Sequence, residues 1–563
     1  MTALDKILEA IVTIDPNSTE YDESVKLKLN LLINAVEALA QDNQKLRDEI
    51  DYLKKLYKHQ SKKDEDNNEK SESESKDNDK KKKSRPPLEP RSSSPATSST
   101  NPKKRTRSDL TPTRTTPQYV DRTTLPDDAV HKGWRDVTIQ ELILQPDIIR
   151  FRLERFYSPT TRKLYEAELP PGFQGWGYGP VLRTYILDQY FRNRIPENKQ
   201  LQHLNGLGFQ ISAGEISRIL TEKHETFHQE KHAIFKAGIS STSYQHCDHT
   251  GAWVNGEKQY HTVLCNDYYS AFFTHPAKER MAVIDVFTGN LTIEYIINSN
   301  TIDYLKNTQC PQKYIKGLKK NLSEKRFTSE ELTKFLLELF RKLPDRYRDL
   351  IFEAAAVAFY QSLDSNLQIP ILISDDAKEF YHLTAMQALC WIHTARHFDK
   401  LQPVLAINQN KLDQFYTQLW QFYQKLKQYK NAPNPALKQA LEDEFDRIFS
   451  PTTDYDELDK KIALTAANKA KLLLVLEHPE IPLHNNPAEL AVRELVIKRK
   501  VSIGTRSLKG TRAWETFMTI SDTCRKQKIS FFHYIKDRLT QTQQIPSLSE
   551  LIQKKSRLAR APA

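Results

Sequence analysis

Residues 61–125 restrict how this chain folds more than any other feature, because they contain almost no large apolar side chains. Such a segment cannot bury enough apolar surface to offset the conformational entropy that ordering would cost. We therefore predict a disordered basic linker between two folded regions. Its basic clusters, Lys80–Arg85 and Lys103–Arg107, contact phosphates, act as a targeting signal, or are simply solvated.

Residues 1–60, before the linker, carry a heptad pattern that is typical of a coiled coil. Its positions are Val25, Leu29, Leu32, Val36, Leu39, Asn43, Leu46, Ile50, Leu53 and Tyr57. Because Leu39 and Leu46 fit d positions, Asn43 falls at an a position, where one buried amide favours a two-stranded register. We predict a homodimeric coiled coil. The alternative is one amphipathic helix packed on its own domain.

The overall charge favours a polyanionic partner, because 83 Lys and Arg residues exceed 72 Asp and Glu residues and give a net charge of +11. Nucleic acid is the leading partner of that kind. No apolar run approaches the roughly 18 residues of a membrane-spanning helix, and the N-terminus lacks the pattern of a signal peptide. We therefore expect a cytoplasmic, nucleoid-associated protein with no membrane partner. The odd count of five cysteines, without a C-x-x-C pair, favours reduced thiols.

Residues 126–240 are predicted to form a helical DNA-binding region. Ser212 and Glu215 make a capping box that opens a helix, and a glycine-containing turn precedes it. The outline is that of a helix-turn-helix, so Arg218 and Lys223 on its second helix are candidate DNA contacts. Two helices joined by a glycine turn also occur in other α-rich domains.

Residues 241–401 change to strand patterns. The stretch YQHCDHTGAWVNGEKQYHTVLCNDYYSAFF contains a VNGE turn, and MAVIDVF reads as a further apolar strand. After a helical stretch, QIPILISDD at 368–376 has the pattern of a buried strand that ends in acid. Helical spacing over 402–480 predicts an insertion. Residues 481–540 would complete the same core, and 541–563 form a basic tail.

Three carboxylates fall at separate places in this pattern: Asp248 on the first strand, Asp375 after the fourth, and Glu489 on a late helix. That order predicts an α/β fold with a ribonuclease-H-like core and helical insertions, preceded by the helical region and the coiled coil. Two Mg²⁺ or Mn²⁺ ions about 3.5–4 Å apart would need carboxylate oxygens converging from separate elements. The three acids are therefore candidate catalytic metal ligands.

Each acid has an alternative reading. Asp285 in MAVIDVF competes with Asp248, and adjacent Asp376 competes with Asp375, although strand alternation sends only one of that pair into a site. Glu489 could serve as a helix-capping residue if Asn486 is the N-cap and Pro487 the first helical residue. A zinc site is also weighed for CWIHTARH, with Cys390, His393 and His397, but no fourth ligand has a useful spacing.

Three segments resemble the sixty-six family of bacterial insertion-sequence transposases: HCDHTGAWVNG, LISDD followed by CWIHTARHFDKL, and LHNNPAELAVRELVIKRKVSIGTRSLKGTRAWETF. The resemblance covers roughly residues 130–540. It implies a DDE catalytic domain with Asp248, Asp375 and Glu489 as the metal-binding triad, and a supporting role for Cys390 and His393. Many relatives carry a zinc-binding segment before the catalytic domain, whereas this chain has no cysteine before Cys247.

Basic residues follow Glu489 closely, and helical periodicity would bring some of them onto its face. The candidate DNA-backbone contacts are Arg493, Lys498, Arg499, Lys500, Arg506, Lys509 and Arg512. Such contacts position DNA rather than read its sequence. Asn485 and Asn486 either cap the helix or orient the metal ligands.

These patterns together predict a dimeric DNA transposase that cleaves and joins DNA under two-metal catalysis. Its partners would be the transposon ends, the target DNA and possible accessory proteins of the same element. The alternatives are a nuclease of the same core that cuts without joining, and a catalytically silent DNA-binding protein derived from a transposon.

Overall fold

The computed structural model describes residues 22–65, 111–126, 129–289 and 291–560. The described parts of Met1–Glu49 and Ile149–Ala563 form one compact unit, and those of Ile50–Ile148 form a second. The fold is mixed α/β. Much of the predicted linker, including both of its basic clusters, lies outside the described residues.

The first helix, α1 (Glu23–Glu65), covers the described part of the predicted coiled coil. Its first half packs on its own chain, where Ile33 and Val36 are buried against Leu405. Leu39 and Leu46 of the heptad pattern are exposed. The helix is confirmed, whereas the pairing of two such helices stays a prediction.

The predicted helical region begins differently from expectation, because residues 129–179 contain no helix. They hold a hairpin of β1 (Arg155–Ser158) and β2 (Lys163–Glu166), whose side chains are largely exposed. The helices follow this hairpin and include the predicted helix-turn-helix outline. They are α2 (Pro180–Leu187), α3 (Glu197–Gly206), α4 (Ala213–Thr221) and α5 (Glu225–Ile239). Ser212 caps α4 as predicted, by accepting a hydrogen bond from the amide of Glu215 at 3.2 Å.

Three antiparallel strands come next: β3 (Tyr244–Val254), β4 (Glu257–Cys265) and β5 (Ser270–His275). The predicted VNGE turn joins β3 to β4 and is confirmed. Its central residues, Asn255 and Gly256, have φ angles of 51° and 81°, as the favoured type I′ hairpin turn requires.

MAVIDVF does not form a strand, and this prediction was wrong. It lies in helix α6 (Arg280–Phe287), because Val283, Val286 and Phe287 share one face and are buried together. This burial overrides the strand preference of the β-branched residues. A layer of short strands and helices follows. Its members are β6 (Tyr295–Ile297), α7 (Ser299–Asn307), α8 (Gln312–Lys319), β7 (Ser323–Phe327), α9 (Ser329–Leu339) and α10 (Asp345–Gln361).

The predicted buried strand is confirmed as β8 (Ile371–Ser374), which is followed by β9 (Met386–Leu389). Both strands join the same sheet, whose order is β5-β4-β3-β8-β9. β8 runs parallel to β3 and to β9, so β3 lies at the centre with an antiparallel neighbour on one side and a parallel neighbour on the other.

A group of helices separates β9 from the last part of the chain, as the spacing over 402–480 predicted. They are α11 (Trp391–Asp399), α12 (Ala406–Asn431), α13 (Pro435–Phe449), α14 (Asp456–Ala467) and α15 (Lys469–Leu472). The stripe Leu412, Phe415, Leu419, Phe422 and Leu426 of α12 is buried. It belongs to a second hydrophobic core that also contains Ile371 and Ile373 of β8.

Four helices complete the chain: α16 (Asn486–Ser502), α17 (Leu508–Gln527), α18 (Phe531–Leu539) and α19 (Leu548–Arg560). The predicted basic tail is thus largely helical. Leu548 and Ile552 of α19 are buried in the main core. Their burial fixes this segment on the fold in spite of its basic composition. Among the helices described, none is both long and apolar enough to cross a bilayer.

Candidate active site

Asp248 lies on β3, the central strand, next to buried Cys247. Its Oδ1 atom accepts a hydrogen bond from the amide of His249 at 2.8 Å. The side chain is mostly buried, so its environment is far less polar than water.

Asp375 directly follows β8, the parallel neighbour of β3. The last paired residues of these strands are His246 and Ile373, and each aspartate lies two residues further along its own strand. Adjacent strands are about 4.8 Å apart, so the register brings Asp248 and Asp375 to equivalent positions at one end of the sheet.

Asp376 is committed to other contacts, as strand alternation predicted for one member of the pair. Its carboxylate accepts hydrogen bonds from the Tyr381 hydroxyl and, at 3.1 Å, from Asn468 Nδ2. Asp285 is on helix α6, and its carboxylate lies 3.6 Å from His275 Nδ1. Neither carboxylate affects the pKa of Asp248 as Asp375 does.

Glu489 lies in the first turn of α16, but the helix-capping alternative for this residue was wrong. Asn485 is the N-cap, so that Asn486 is the first helical residue and Glu489 lies one residue too far along to complete a capping box. Its side chain instead approaches α11. The Oε2 atom lies 3.2 Å from a guanidinium nitrogen of Arg396, and Oε1 lies 3.7 Å from His393 Nε2.

Cys390, His393 and Glu489 form a cluster whose potential ligand atoms lie within 4.8 Å of one another. His397 is not a member, so the trio that was weighed as an alternative zinc site, Cys390, His393 and His397, is not assembled. Cys390 Sγ accepts a hydrogen bond from the amide of Asn485 at 3.2 Å, and burial raises the pKa of this thiol to about 11. The neutral thiol is therefore suited to joining α11 and α16.

Asn485 connects α16 to the central strand. Its Oδ1 atom lies 2.9 Å from His246 Nδ1, and its Nδ2 group donates to the carbonyl of Cys247 at 2.8 Å. Burial lowers the pKa of His246 to about 3. The neutral ring must therefore carry its proton on Nδ1 to donate to the amide oxygen. Asn485 thus fixes the third acid relative to the first.

Asp375 and Glu489 lie near enough to Asp248 for their negative charges to act on its pKa. Among the described residues, however, the three acids do not form a group whose ligand atoms all lie within 4.8 Å of one another, as those of Cys390, His393 and Glu489 do. Burial is the main cause that raises the pKa of Asp248 to about 7. The negative charges of Asp375 and Glu489 contribute in the same direction, and the hydrogen bond from the His249 amide opposes them. Repulsion of this kind is relieved by a proton or by a cation.

The donor set fits a hard divalent cation. Three carboxylates offer only oxygen ligands, which Mg²⁺ and Mn²⁺ prefer. Glu489 Oε1 is buried and has no hydrogen-bond partner in the described part of the chain, so it is available for a ligand bond.

Five of the seven predicted basic residues after Glu489 are exposed: Arg493, Lys500, Arg506, Lys509 and Arg512. Lys509 and Arg512 pair with Glu222 and Glu225, at 3.5 and 3.2 Å. They therefore link α17 to the helix-turn-helix region and its flank.

The side chains of Lys498 and Arg499 contact other parts of this chain rather than solvent, where a DNA contact would lie. Lys498 is 1% exposed, and its Nζ atom donates to the carbonyl of Tyr190 at 2.9 Å and lies 3.5 Å from the centre of that ring. Burial lowers the pKa of Lys498 to about 7. Arg499 donates to the carbonyl of Gly251 and so ties α16 to β3. The prediction of Lys498 as a DNA contact was wrong.

The two basic residues of the helix-turn-helix outline are also engaged within the chain. Arg218 pairs with Glu215 at 2.6 Å, and Lys223 donates to the carbonyl of Gly175 at 2.6 Å. Both cations lie near the ring of Trp176, at 6.0 and 4.7 Å from its centre. These contacts hold the loop that carries Gly175 and Trp176 against α4 and the residues that follow it.

Comparison with known proteins identifies the family of this chain. The sequence profile described as Transposase IS66 family matches residues 359–513, a range that contains Asp375 and Glu489. The chain belongs to the IS66 transposase family. It is also 32% identical over 309 residues to an uncharacterized protein, y4jO, of Sinorhizobium fredii, and the alignment covers 54% of this chain and 94% of that protein. Membership of the IS66 family implies DNA binding.

The structure of this IS66 family member adds residues that sequence reasoning missed. Arg396 lies in the CWIHTARH segment, but only its cysteine and histidines were considered there. His246 is the first residue of HCDHTGAWVNG, but nothing in the local sequence indicates that it contacts Asn485. Both contacts join residues that are far apart in sequence, so only the folded chain reveals them.

Proposed function

We propose that this protein is a DNA transposase that catalyses metal-dependent cleavage and strand transfer of an insertion sequence. The observation that carries the proposal is the electrostatic coupling of Asp248 to both Asp375 and Glu489 within a chain of the IS66 family. Repulsion between carboxylates from separate elements destabilises the folded chain. Such destabilising charge clusters are typical of functional sites, and a bound divalent cation would offset the repulsion.

The sheet topology supports a ribonuclease-H-like core. β3 has an antiparallel neighbour in β4 and a parallel neighbour in β8. This arrangement brings the first two acids to the same end of adjacent strands, and α16 supplies the third.

Asp248, Asp375 and Glu489 would hold two Mg²⁺ or Mn²⁺ ions. When bound, such ions activate an attacking oxygen and stabilise the leaving oxygen of a phosphodiester. The attacking groups would be water in cleavage and then a DNA 3′-hydroxyl in joining, without a covalent enzyme intermediate.

The protein's own groups have definable tasks in this reaction. Arg396 and His393 hold the Glu489 carboxylate at the end of the sheet, and Asn485 fixes the start of its helix against β3. Exposed Arg493 and Lys500 on α16 are placed to contact phosphates near the acids.

The test uses conservative substitutions of the three acids, Asp248→Asn, Asp375→Asn and Glu489→Gln. Each is expected to abolish Mg²⁺-dependent strand transfer while leaving DNA affinity within about twofold, because the amide keeps the side-chain size. Asp376→Asn is the matched control, since Asp376 is engaged by Tyr381 and Asn468 and its variant should retain strand transfer.

The products distinguish the alternatives. Cleavage without joining of a 3′ end to target DNA would replace the transposase with a nuclease of the same core. Equal DNA binding with and without Mg²⁺, and no cleavage, would indicate a silent DNA-binding descendant. Full strand transfer by any one acid variant would remove that residue from the triad.

We also propose that the active form is a homodimer joined through α1. Leu39, Leu46 and Ile50 on this helix are exposed in the single chain and follow the heptad spacing. Exposed leucines at that spacing form the seam of a two-stranded coiled coil.

A further inference from the structure

Four large apolar side chains are exposed where the end of β3 meets the loop between α16 and α17. Trp253, Val501, Ile503 and Leu508 have 45%, 48%, 72% and 82% of their surface exposed. We call these four residues the apolar tip. A group of exposed large apolar residues of this kind marks an interaction site when polar residues surround it.

The backbone at Ile503 holds a rare conformation. Its φ and ψ angles are 64° and −62°, and the Gly504 amide donates to the carbonyl of Ser502 at 2.7 Å. This is the strained form of the γ-turn, and positive φ is especially unfavourable for a β-branched residue such as isoleucine. Strain of this kind persists only when surrounding contacts enforce it.

Those contacts come from the neighbouring hairpin. The Thr505 amide donates to the carbonyl of Trp253 at 3.1 Å, and the Asn255 amide donates to the carbonyl of Thr505 at 2.8 Å. The backbones approach so closely that a Cβ atom at Gly504 would lie 2.0 Å from the Trp253 oxygen. The loop is therefore fixed on β3, and it presents Ile503 to solvent at a cost in backbone energy.

Three exposed cations lie beside the apolar tip. Lys500 and Arg506 flank its members in sequence, and Lys258 lies opposite Trp253 in the β3–β4 pair, next to the exposed acid Glu257. Within the described residues Lys500 and Arg506 form no ion pair. Cations beside apolar and aromatic groups match nucleic acid, whose phosphates meet the cations while its bases meet the apolar surface.

The apolar tip also lies at a defined distance from the acids. Trp253 follows Asp248 on the same strand, roughly 17 Å along it, and α16 runs from Glu489 to Ile503 over roughly 21 Å. The spacing corresponds to roughly five base pairs of DNA.

We propose that the apolar tip contacts unstacked bases of the bound DNA, with Ile503 and Leu508 as wedges and Trp253 as a stacking surface. The inference rests on the proposed function, because it takes the DNA to lie along β3 and α16 from the acids. It adds a second property, which is that this protein prefers DNA whose bases are unpaired roughly five base pairs from the end.

The experiment measures binding in EDTA, so that catalysis plays no part. The probes are a fully paired DNA duplex and the same duplex with a short mismatch roughly five base pairs from one end, each with 2-aminopurine at that place. Wild-type protein is expected to bind the mismatched duplex about tenfold more tightly and to quench its 2-aminopurine. Trp253→Ala and Ile503→Gly should each lose most of that preference but retain affinity for the paired duplex.

Ile503→Gly tests the contact without disturbing the fold. Because glycine adopts positive φ readily, this variant should melt no lower than the wild type. Leu508→Ser should also lose most of the preference. Its control is Leu337→Ser, since Leu337 is an exposed leucine on α9, more than 100 residues from Leu508 in the sequence. The control should keep the preference.

Four outcomes would overturn the inference. If wild type binds both duplexes equally, or if the Trp253 and Ile503 variants keep the preference, the apolar tip does not contact bases while the proposed function stands. If these variants change the oligomeric state in light scattering, the tip contacts protein instead. Failure to bind either duplex would overturn the proposed function as well.

Discussion

His246 and Asn485 form a buried hydrogen bond of 2.9 Å between the central strand and the start of α16. The strand carries the first acid of the candidate site and the helix carries the third. The Asn485 side chain also donates to the carbonyl of Cys247. The backbone amide of Asn485 donates to Cys390 Sγ. One asparagine therefore connects β3, the start of α16 and Cys390 before α11.

Replacing Asn485 with alanine should disrupt this connection. The buried imidazole of His246 and the carbonyl of Cys247 would lose their partner, which costs about 2 kcal/mol of folding stability. We expect strand transfer to fall by at least tenfold, because Glu489 would no longer be fixed relative to Asp248. Urea denaturation and a strand-transfer assay measure the two effects.

Asn486→Ala is the control for that variant. Asn486 is the adjacent residue on the same helix and is only partly buried. It should retain both stability and strand transfer. Equal losses in the two variants would mean that the asparagines act only through the helix start and not through the His246 contact.

The strands that carry the first two acids could be predicted from the sequence, whereas the contacts that connect the three acid-bearing segments could not. Asp375 follows a short apolar run, and that pattern is local, so β8 could be predicted from sequence. The identity of the N-cap depends on whether Asn485 or Asn486 faces the sheet, which only packing decides. Lys498 and Lys500 look equivalent in a basic run. The first is buried because Tyr190, more than 300 residues earlier in the chain, covers that face of α16.

Asp248 should make the stability of the metal-free protein depend on pH. Its pKa in the folded chain, about 7, exceeds the ordinary value of 3.8. The protonated carboxyl group is therefore fully compatible with the fold below pH 4, and stability is lost as the pH rises through 7. Asp248→Asn removes this loss. Its free energy of unfolding should exceed that of wild type by up to about 4 kcal/mol at pH 8 and by little at pH 4.

Urea denaturation in EDTA at several pH values measures this difference. Adding Mg²⁺ at pH 8 should stabilise the wild type and narrow the gap, because a ligand that binds only the folded chain shifts its stability. A gap that is constant with pH would show that neither burial nor the neighbouring charges raise the pKa of Asp248 in the folded chain.

Lys498 and Lys500 should differ in their effect on DNA binding although they lie two residues apart. Lys500 is exposed, and its removal in Lys500→Ala should reduce the slope of log affinity against log salt by about 0.9. Lys498→Met replaces a buried amine whose pKa is lowered to about 7, and it should leave the slope unchanged. Fluorescence anisotropy with a DNA duplex over a range of salt concentrations measures both slopes. A reduced slope in Lys498→Met would place that amine on the DNA.

The two faces of α1 predict separate effects on assembly. Glu37 is buried and accepts hydrogen bonds at 2.9 and 3.2 Å from the Leu405 amide and Asn408 Nδ2 at the start of α12. Glu37→Ala should therefore release α1 from its own chain, which hydrogen exchange at the Leu405 amide would detect, without separating a dimer. Leu39 and Leu46 lie on the exposed heptad positions, and aspartate at both should give monomers in light scattering because charge cannot be buried in the seam. Leu31→Asp is the control, since Leu31 is exposed but outside the heptad pattern. A dimer that persists with aspartate at both seam positions would show that α1 serves only to cover α12.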